Sequence, residues 1–126
     1  MQATDLTFEV IAAAMEVHRA LGPGLLESVY RTCLMIEFHE RKISFRSEMD
    51  VPISYKDKKI DCGARVDFLI ENELVLELKS VEQILPVHEA QVLTYLRLLK
   101  IELGLLINFK VPILKNGIRR WILTPQ

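Results

Sequence analysis

Apolar residues recur at helical spacing over residues 7–20, where Phe8, Ile11, Ala12 and Met15 stand at i, i+3, i+4 and i+7 in a run rich in helix formers. Gly22-Pro23-Gly24 ends that helix, because proline disfavours helical backbone before it and glycine admits the turn. A second helix is expected over residues 25–41. From Phe45 the period drops to two. Val51, Ile53 and Tyr55 alternate with Pro52, Ser54 and Lys56, a half-exposed strand closed by a hairpin tip at Lys56-Asp57-Lys58-Lys59. The β-rich runs Ile60–Ile70 and Leu74–Lys79 are parted only by Glu71-Asn72-Glu73, a loop that implies an antiparallel hairpin. Pro86 suits a first helical position, and the helix Val87–Leu99 behind it is apolar almost all round and is expected to be largely buried. Leu103–Phe109 reads as a core strand, and Gly117 turns the chain towards a last strand, Ile118–Leu123. The predicted order is α-α-β-β-β-α-β-β.

Composition narrows the class. Of 126 residues, 50% are hydrophobic and 26% charged, enough for one ordinary core without a metal or disulfide staple. With 16 Lys+Arg against 17 Asp+Glu the formal net charge is -1, so no global field draws in a polyanion, and any nucleic-acid binding must come from a local site. The longest apolar run, Val10–Met15, is far short of a membrane span, and the first residues lack a basic region leading into an apolar one. A cytoplasmic location is expected. Cys33 and Cys62 read as reduced residues of a helix interior and a strand start, with no partner at zinc-finger spacing.

Three charges interrupt the apolar hairpin. With residues 71–73 as the loop, Ile70 faces Leu74, Phe68 faces Leu76 and Val66 faces Leu78, forming one apolar face. The same register sets Asp67 opposite Glu77, and both project with Lys79 from the other face. Two carboxylates so close repel unless a proton, a base or a divalent cation lies between them. Mg²⁺ or Mn²⁺ suits oxygen donors of this kind, and Lys79 could hold a nucleophilic water or neutralise a phosphoryl oxygen. A metal-free Asp/Glu/Lys ion cluster, or a solvated sheet face, would carry the same residues. Glu27 shares a helical stripe with Tyr30, Leu34 and Phe38, and there it either caps the helix or points into a shared site. His88, Gln91 and Tyr95 form a polar stripe on the late helix, consistent with hydrogen bonding inside a core or with a site.

Read together, these residues form a recognisable set. Gly24-Leu25-Leu26-Glu27-Ser28-Val29-Tyr30 resembles the Gly-x-x-Glu-x-x-Tyr signature of the GxxExxY family. The likeness continues through residues 16–23, Arg65-Val66-Asp67, residues 77–82, residues 86–91 and residues 104–109, nearly the whole chain. That family is similar to the PD-(D/E)XK nuclease-like superfamily. The resemblance implies an α/β fold with a restriction-endonuclease-like core (α-β-β-β-α-β), an extra N-terminal helix and a C-terminal strand, in one domain over residues 1–126. By the same resemblance Glu27 corresponds to the helix glutamate, Asp67 to the second-motif metal ligand, Glu77 and Lys79 to the third-motif pair, and Gln91 with Tyr95 to a Gln-x-x-x-Tyr motif. Val66 stands where the superfamily name has proline, and Leu99-Lys100 stands where relatives tend to have a glycine, which implies a strained or altered helix end at Lys100.

The expected function is metal-dependent phosphodiester hydrolysis. Asp67, Glu77, the Leu78 carbonyl and Glu27 would hold Mg²⁺ or Mn²⁺, Lys79 would position water, and Gln91 and Tyr95 would contact Lys79, water or the phosphate backbone. The alternative is a non-catalytic module that keeps the fold and binds nucleic acid or a protein; a third option is an enzyme acting on a small phosphorylated molecule. Lys56, Lys58 and Lys59 at one turn and Lys115, Arg119 and Arg120 at another could flank the site for nucleic acid. Trp121 reads as core or as the anchor of a homodimer.

Overall fold

The computed structural model describes residues 3–61 and 63–124. Two helices come first, α1 (Ala3–Leu21) and α2 (Glu27–Glu40). They are followed by β1 (Phe45–Asp50), β2 (Ile53–Tyr55), β3 (Lys58–Ile60), β4 (Arg65–Ile70) and β5 (Leu74–Lys79). Then come α3 (Pro86–Leu99), β6 (Leu103–Asn108), a 3-10 turn (Leu114–Gly117) and β7 (Ile118–Ile122). Five strands form one sheet in the order β1-β4-β5-β6-β7. Only β5 and β6 run parallel, as a connection through α3 requires; the other neighbours are antiparallel. The series α2-β1-β4-β5-α3-β6 is the expected restriction-endonuclease-like core, flanked by α1 and β7.

The strand expected to run from Phe45 through Tyr55 is broken, and so is the run Ile60–Ile70. Pro52 interrupts the first, and residues 53–60 fold away as a separate hairpin, β2 with β3. Tyr55 pairs with Lys58 across a two-residue turn in which Lys56 and Asp57 take φ of 50° and 64°. The tip is therefore Lys56-Asp57, with Lys58 and Lys59 in a strand. Two left-handed residues match the twist of the flanking strands, which lets so short a turn close. This hairpin grows from the end of the sheet where β1 stops and β4 begins.

The sheet carries a core on each face. Phe68, Ile70, Leu74, Leu76, Leu78, Leu105 and Ile107 pack with α1 and α2, while Leu69, Val75 and Leu106 pack with Val92, Tyr95 and Leu96 of α3. Val66 belongs to this second cluster, not with Phe68 and Ile70 as the strict alternation predicts. It lies where the β4–β5 ladder has ended and where Glu48 of β1 takes a φ of 50°. The face of α1 also differs from the predicted one. Leu6, Val10, Ala13, Ala14 and Val17 are buried, whereas Phe8 is 72% exposed and Met15 37%. The helix carries two overlapping apolar stripes, and the one containing Ala13 and Ala14 permits the closer approach.

Helix α3 is not largely buried. Only Val92, Tyr95 and Leu96 are, while Val87 and Leu98 stay exposed, because the helix covers the sheet on one side only. Gly104 brings the two together, since a methyl there would meet Leu96 Cδ1 at 2.9 Å and Val92 Cγ1 at 3.0 Å. The helix ends on Lys100 with φ 59° and ψ 43°, the strained cap implied by the missing glycine. Trp121 is half-buried against the second core. Cys33 is a free thiol on α2, and Cys62 lies outside the described residues. Among the described residues no helix is long and apolar enough to cross a membrane.

Candidate active site

The backbone register between β4 and β5 runs Ile70↔Leu74, Leu69↔Val75, Phe68↔Leu76, as the three-residue turn predicts. One step further it sets Asp67 against Glu77, and here side chains replace the ladder. The Asp67 amide donates to Glu77 Oε1 at 3.2 Å, and the Leu78 amide donates to Asp67 Oδ2 at 2.8 Å. Glu77 is 4% exposed. Burial first, and then the neighbouring charge of Asp67, push its carboxyl up to about 9; the positive charge of Lys79 opposes the rise only as its weakest influence. Lys79 forms no ion pair with either carboxylate among the described residues.

Two neighbours of Asp67 escape sequence reasoning. Arg31 of α2 donates to Asp67 Oδ1 from Nη2 at 2.7 Å and from Nε at 3.1 Å, and its Nη1 lies 3.1 Å from Glu48 Oε1. Glu48 sits on β1 between the register pairs Ser47↔Phe68 and Met49↔Val66, so it flanks Asp67 on the side away from Glu77. Three carboxylates thus stand on three adjacent strands, with one guanidinium bridging two of them. The available signals were weak: Arg31 lies one turn beyond Glu27, and Glu48 becomes visible only once β1 is separated from β2.

The helix stripe of α2 is as expected, with Tyr30, Leu34 and Phe38 fully buried and Glu27 in the first turn. Glu27 is not the N-cap residue; Leu26 holds that position without a side-chain bond. The Tyr30 hydroxyl donates to the Gly22 carbonyl at 2.6 Å and accepts from the Leu25 amide at 3.2 Å, while its ring stacks on Phe109 at 4.2 Å. Gly24, at φ 102°, makes the turn that allows this closure. Ser80 donates to the Leu25 carbonyl at 2.7 Å, tying the end of β5 to the start of α2. Asn108, 2% exposed, fastens the same loop from β6 through bonds to both the amide and the carbonyl of Val81. These ties fix where Glu27 stands relative to Glu77 and Lys79.

On α3, His88 accepts the Leu85 amide at its Nδ1 at 3.0 Å, which makes it a helix-start cap. Gln91 is half-buried, and Tyr95 is a member of the second core. The expected metal set gathers in part. Asp67 and Glu77 meet, and Leu78 touches the pair through its amide, which donates to Asp67, whereas the expected ligand is its carbonyl; among the described residues no group of three or more His, Cys, Asp or Glu side chains forms a metal-binding cluster. Glu27 does not complete one; Arg31, whose guanidinium feels the charge of Glu27, stands on Asp67 instead. The donor chemistry nevertheless fits a hard divalent cation. The pair consists of carboxylate oxygen donors, and the two groups stand close enough for the charge of Asp67 to add to burial in raising the Glu77 carboxyl.

A family model described as the PD-(D/E)XK nuclease superfamily matches residues 4–121. Searches of curated proteins and of solved structures found no match.

Proposed function

The chain belongs to the PD-(D/E)XK nuclease superfamily, and on that premise we propose that it is a metal-dependent nuclease of the GxxExxY branch, hydrolysing phosphodiester bonds of nucleic acid with Mg²⁺ or Mn²⁺. The observation that carries this reading is the buried Glu77 carboxyl locked against Asp67 where the strand ladder gives way to side chains. Asp67 and Glu77, with the Leu78 carbonyl, would hold the ion, and Glu27 would reach it through water or help a second ion. When bound, such an ion supplies Lewis acidity at the phosphoryl oxygen and lowers the pKa of a water molecule. Lys79 orients the attacking water and stabilises charge developing on the phosphate. Gln91 and Tyr95 steady Lys79 and the phosphate backbone.

The β2–β3 hairpin precedes β4, which begins two residues before Asp67, and carries exposed Lys56, Lys58 and Lys59 beside an exposed Tyr55. In this reading it tracks the phosphates of a bound strand, and a second subunit extends the basic surface. Residues 1–126 act as one nuclease-like domain in the cytoplasm.

The test incubates purified protein with labelled DNA and RNA in the presence and absence of Mg²⁺ or Mn²⁺. Cleavage is expected only with the ion and is lost in Glu77→Ala; cleavage that survives EDTA or that substitution overturns the proposal. One observation favours a non-catalytic binding module instead: Arg31 already supplies Asp67 with a counter-ion. Calorimetric titration with Mg²⁺ separates the two, since the module would bind none.

A further inference from the structure

We propose that Arg31 is the phosphate-receiving residue of this site, held on Asp67 as an internal counter-ion until a divalent cation takes that carboxylate. The inference rests on the nuclease reading above. Both oxygens of Asp67 are engaged: Oδ2 by the Leu78 amide, and Oδ1 by Arg31 through Nε and Nη2 together. A cation therefore reaches Oδ1 only in competition with the guanidinium. Because arginine stays charged at any working pH, the competition is settled by position and not by deprotonation.

The guanidinium has somewhere to go. Its Nη1 already lies 3.1 Å from Glu48 Oε1, and the Glu48 side chain is 51% exposed against 12% for Asp67 and 19% for Arg31. Glu27, one turn earlier on α2, adds negative charge that keeps the guanidinium local. Displaced from Asp67 towards Glu48, Arg31 presents an unused edge of its planar fork beside the ion. That edge matches two oxygens of a phosphodiester, a geometry a lysine could not offer. Arg31 would thus exchange one anion, the Asp67 carboxylate, for another, the phosphate, and an ion at Asp67 would prepare the substrate site.

The test measures Mn²⁺ binding to the full chain by electron paramagnetic resonance, followed by binding of a short fluorescent oligonucleotide in the presence of Ca²⁺, read by anisotropy. Arg31→Gln is expected to bind Mn²⁺ about tenfold tighter, because a competitor is gone, yet to bind the oligonucleotide about tenfold more weakly. A purely structural salt bridge would not move the two affinities in opposite directions. Arg31→Lys keeps the charge without the fork, and is expected to bind Mn²⁺ nearly as wild type while losing oligonucleotide affinity. Glu48→Gln removes the alternative resting place and weakens Mn²⁺ binding, but has no effect in the Arg31→Gln background; if Glu48 were itself a metal ligand, it would weaken binding in both. Arg31→Gln binding Mn²⁺ no tighter than a wild type that does bind it, or binding the oligonucleotide undiminished, overturns the role of Arg31 alone. Failure of wild type and Arg31→Gln alike to bind Mn²⁺ overturns the nuclease reading with it.

Discussion

Replacing Glu77 with glutamine is expected to stabilise the ion-free protein at pH 8 while leaving its stability at pH 5 nearly unchanged. The folded carboxyl is pushed up to about 9 from an ordinary value of 4.5, so the folded state keeps a proton that the unfolded chain releases. Stability from this group is therefore full below the unfolded value and is lost as pH rises from there towards 9. Integrating that proton difference from pH 5 to pH 8 gives a loss of about 4 kcal/mol, a large share of a small domain's total stability. Glutamine has the same shape and no charge. Its amide oxygen can still accept the Asp67 amide, and its amide hydrogens can donate to the Asp67 carboxylate. Urea denaturation of both proteins at pH 5, 6, 7 and 8 in the presence of EDTA reads the difference. Wild type should lose stability progressively against the variant, and parallel curves across this range would refute the argument that burial and Asp67 hold Glu77 protonated.

Two other substitutions test how the site is positioned, and a third tests a helix end away from it. Tyr30→Phe removes the hydroxyl that serves both the Gly22 carbonyl and the Leu25 amide while keeping the stack on Phe109. It should cost about 1–2 kcal/mol in urea denaturation and reduce cleavage by loosening the start of α2. Asn108→Ala strands the amide and carbonyl of Val81 in a loop that follows Lys79, with an expected cost of about 3 kcal/mol by the same assay. Lys100→Gly relieves the left-handed helix cap and should stabilise the protein by about 1 kcal/mol, seen as a raised melting temperature with cleavage unchanged.

Much of this architecture could be read from the residues because short loops leave few choices. Glu71-Asn72-Glu73 fixes the β4–β5 register, and the register in turn brings Asp67 to Glu77. Pro86 and the following run locate α3, while its strained end at Lys100 is implied only by the family resemblance, in which a glycine tends to stand there. Sequence pattern was less informative where burial depends on what lies opposite. Phe8 and Met15 match a helical stripe as well as Leu6, Val10 and Val17 do, and only the packing of Ala13 and Ala14 chooses between the two faces. The apolar surface of α3 exceeds what one sheet face can cover, so Val87 and Leu98 remain outside. Arg31 was invisible for a different reason: its partner lies 36 positions away on another element, and no periodicity links a helix arginine to a strand aspartate. Glu48 stands out only where β1 ends apart from β2.

The central claim is that the Asp67–Glu77 pair works as a divalent-ion site for phosphodiester cleavage. Its most direct test is single-turnover cleavage of a labelled oligonucleotide by wild type, Asp67→Asn and Glu77→Gln over a Mg²⁺ titration. The wild-type rate is expected to rise from zero and saturate with Mg²⁺, with no cleavage by either variant at any concentration. Cleavage independent of Mg²⁺, or a Glu77→Gln protein that cleaves as wild type does, would contradict it.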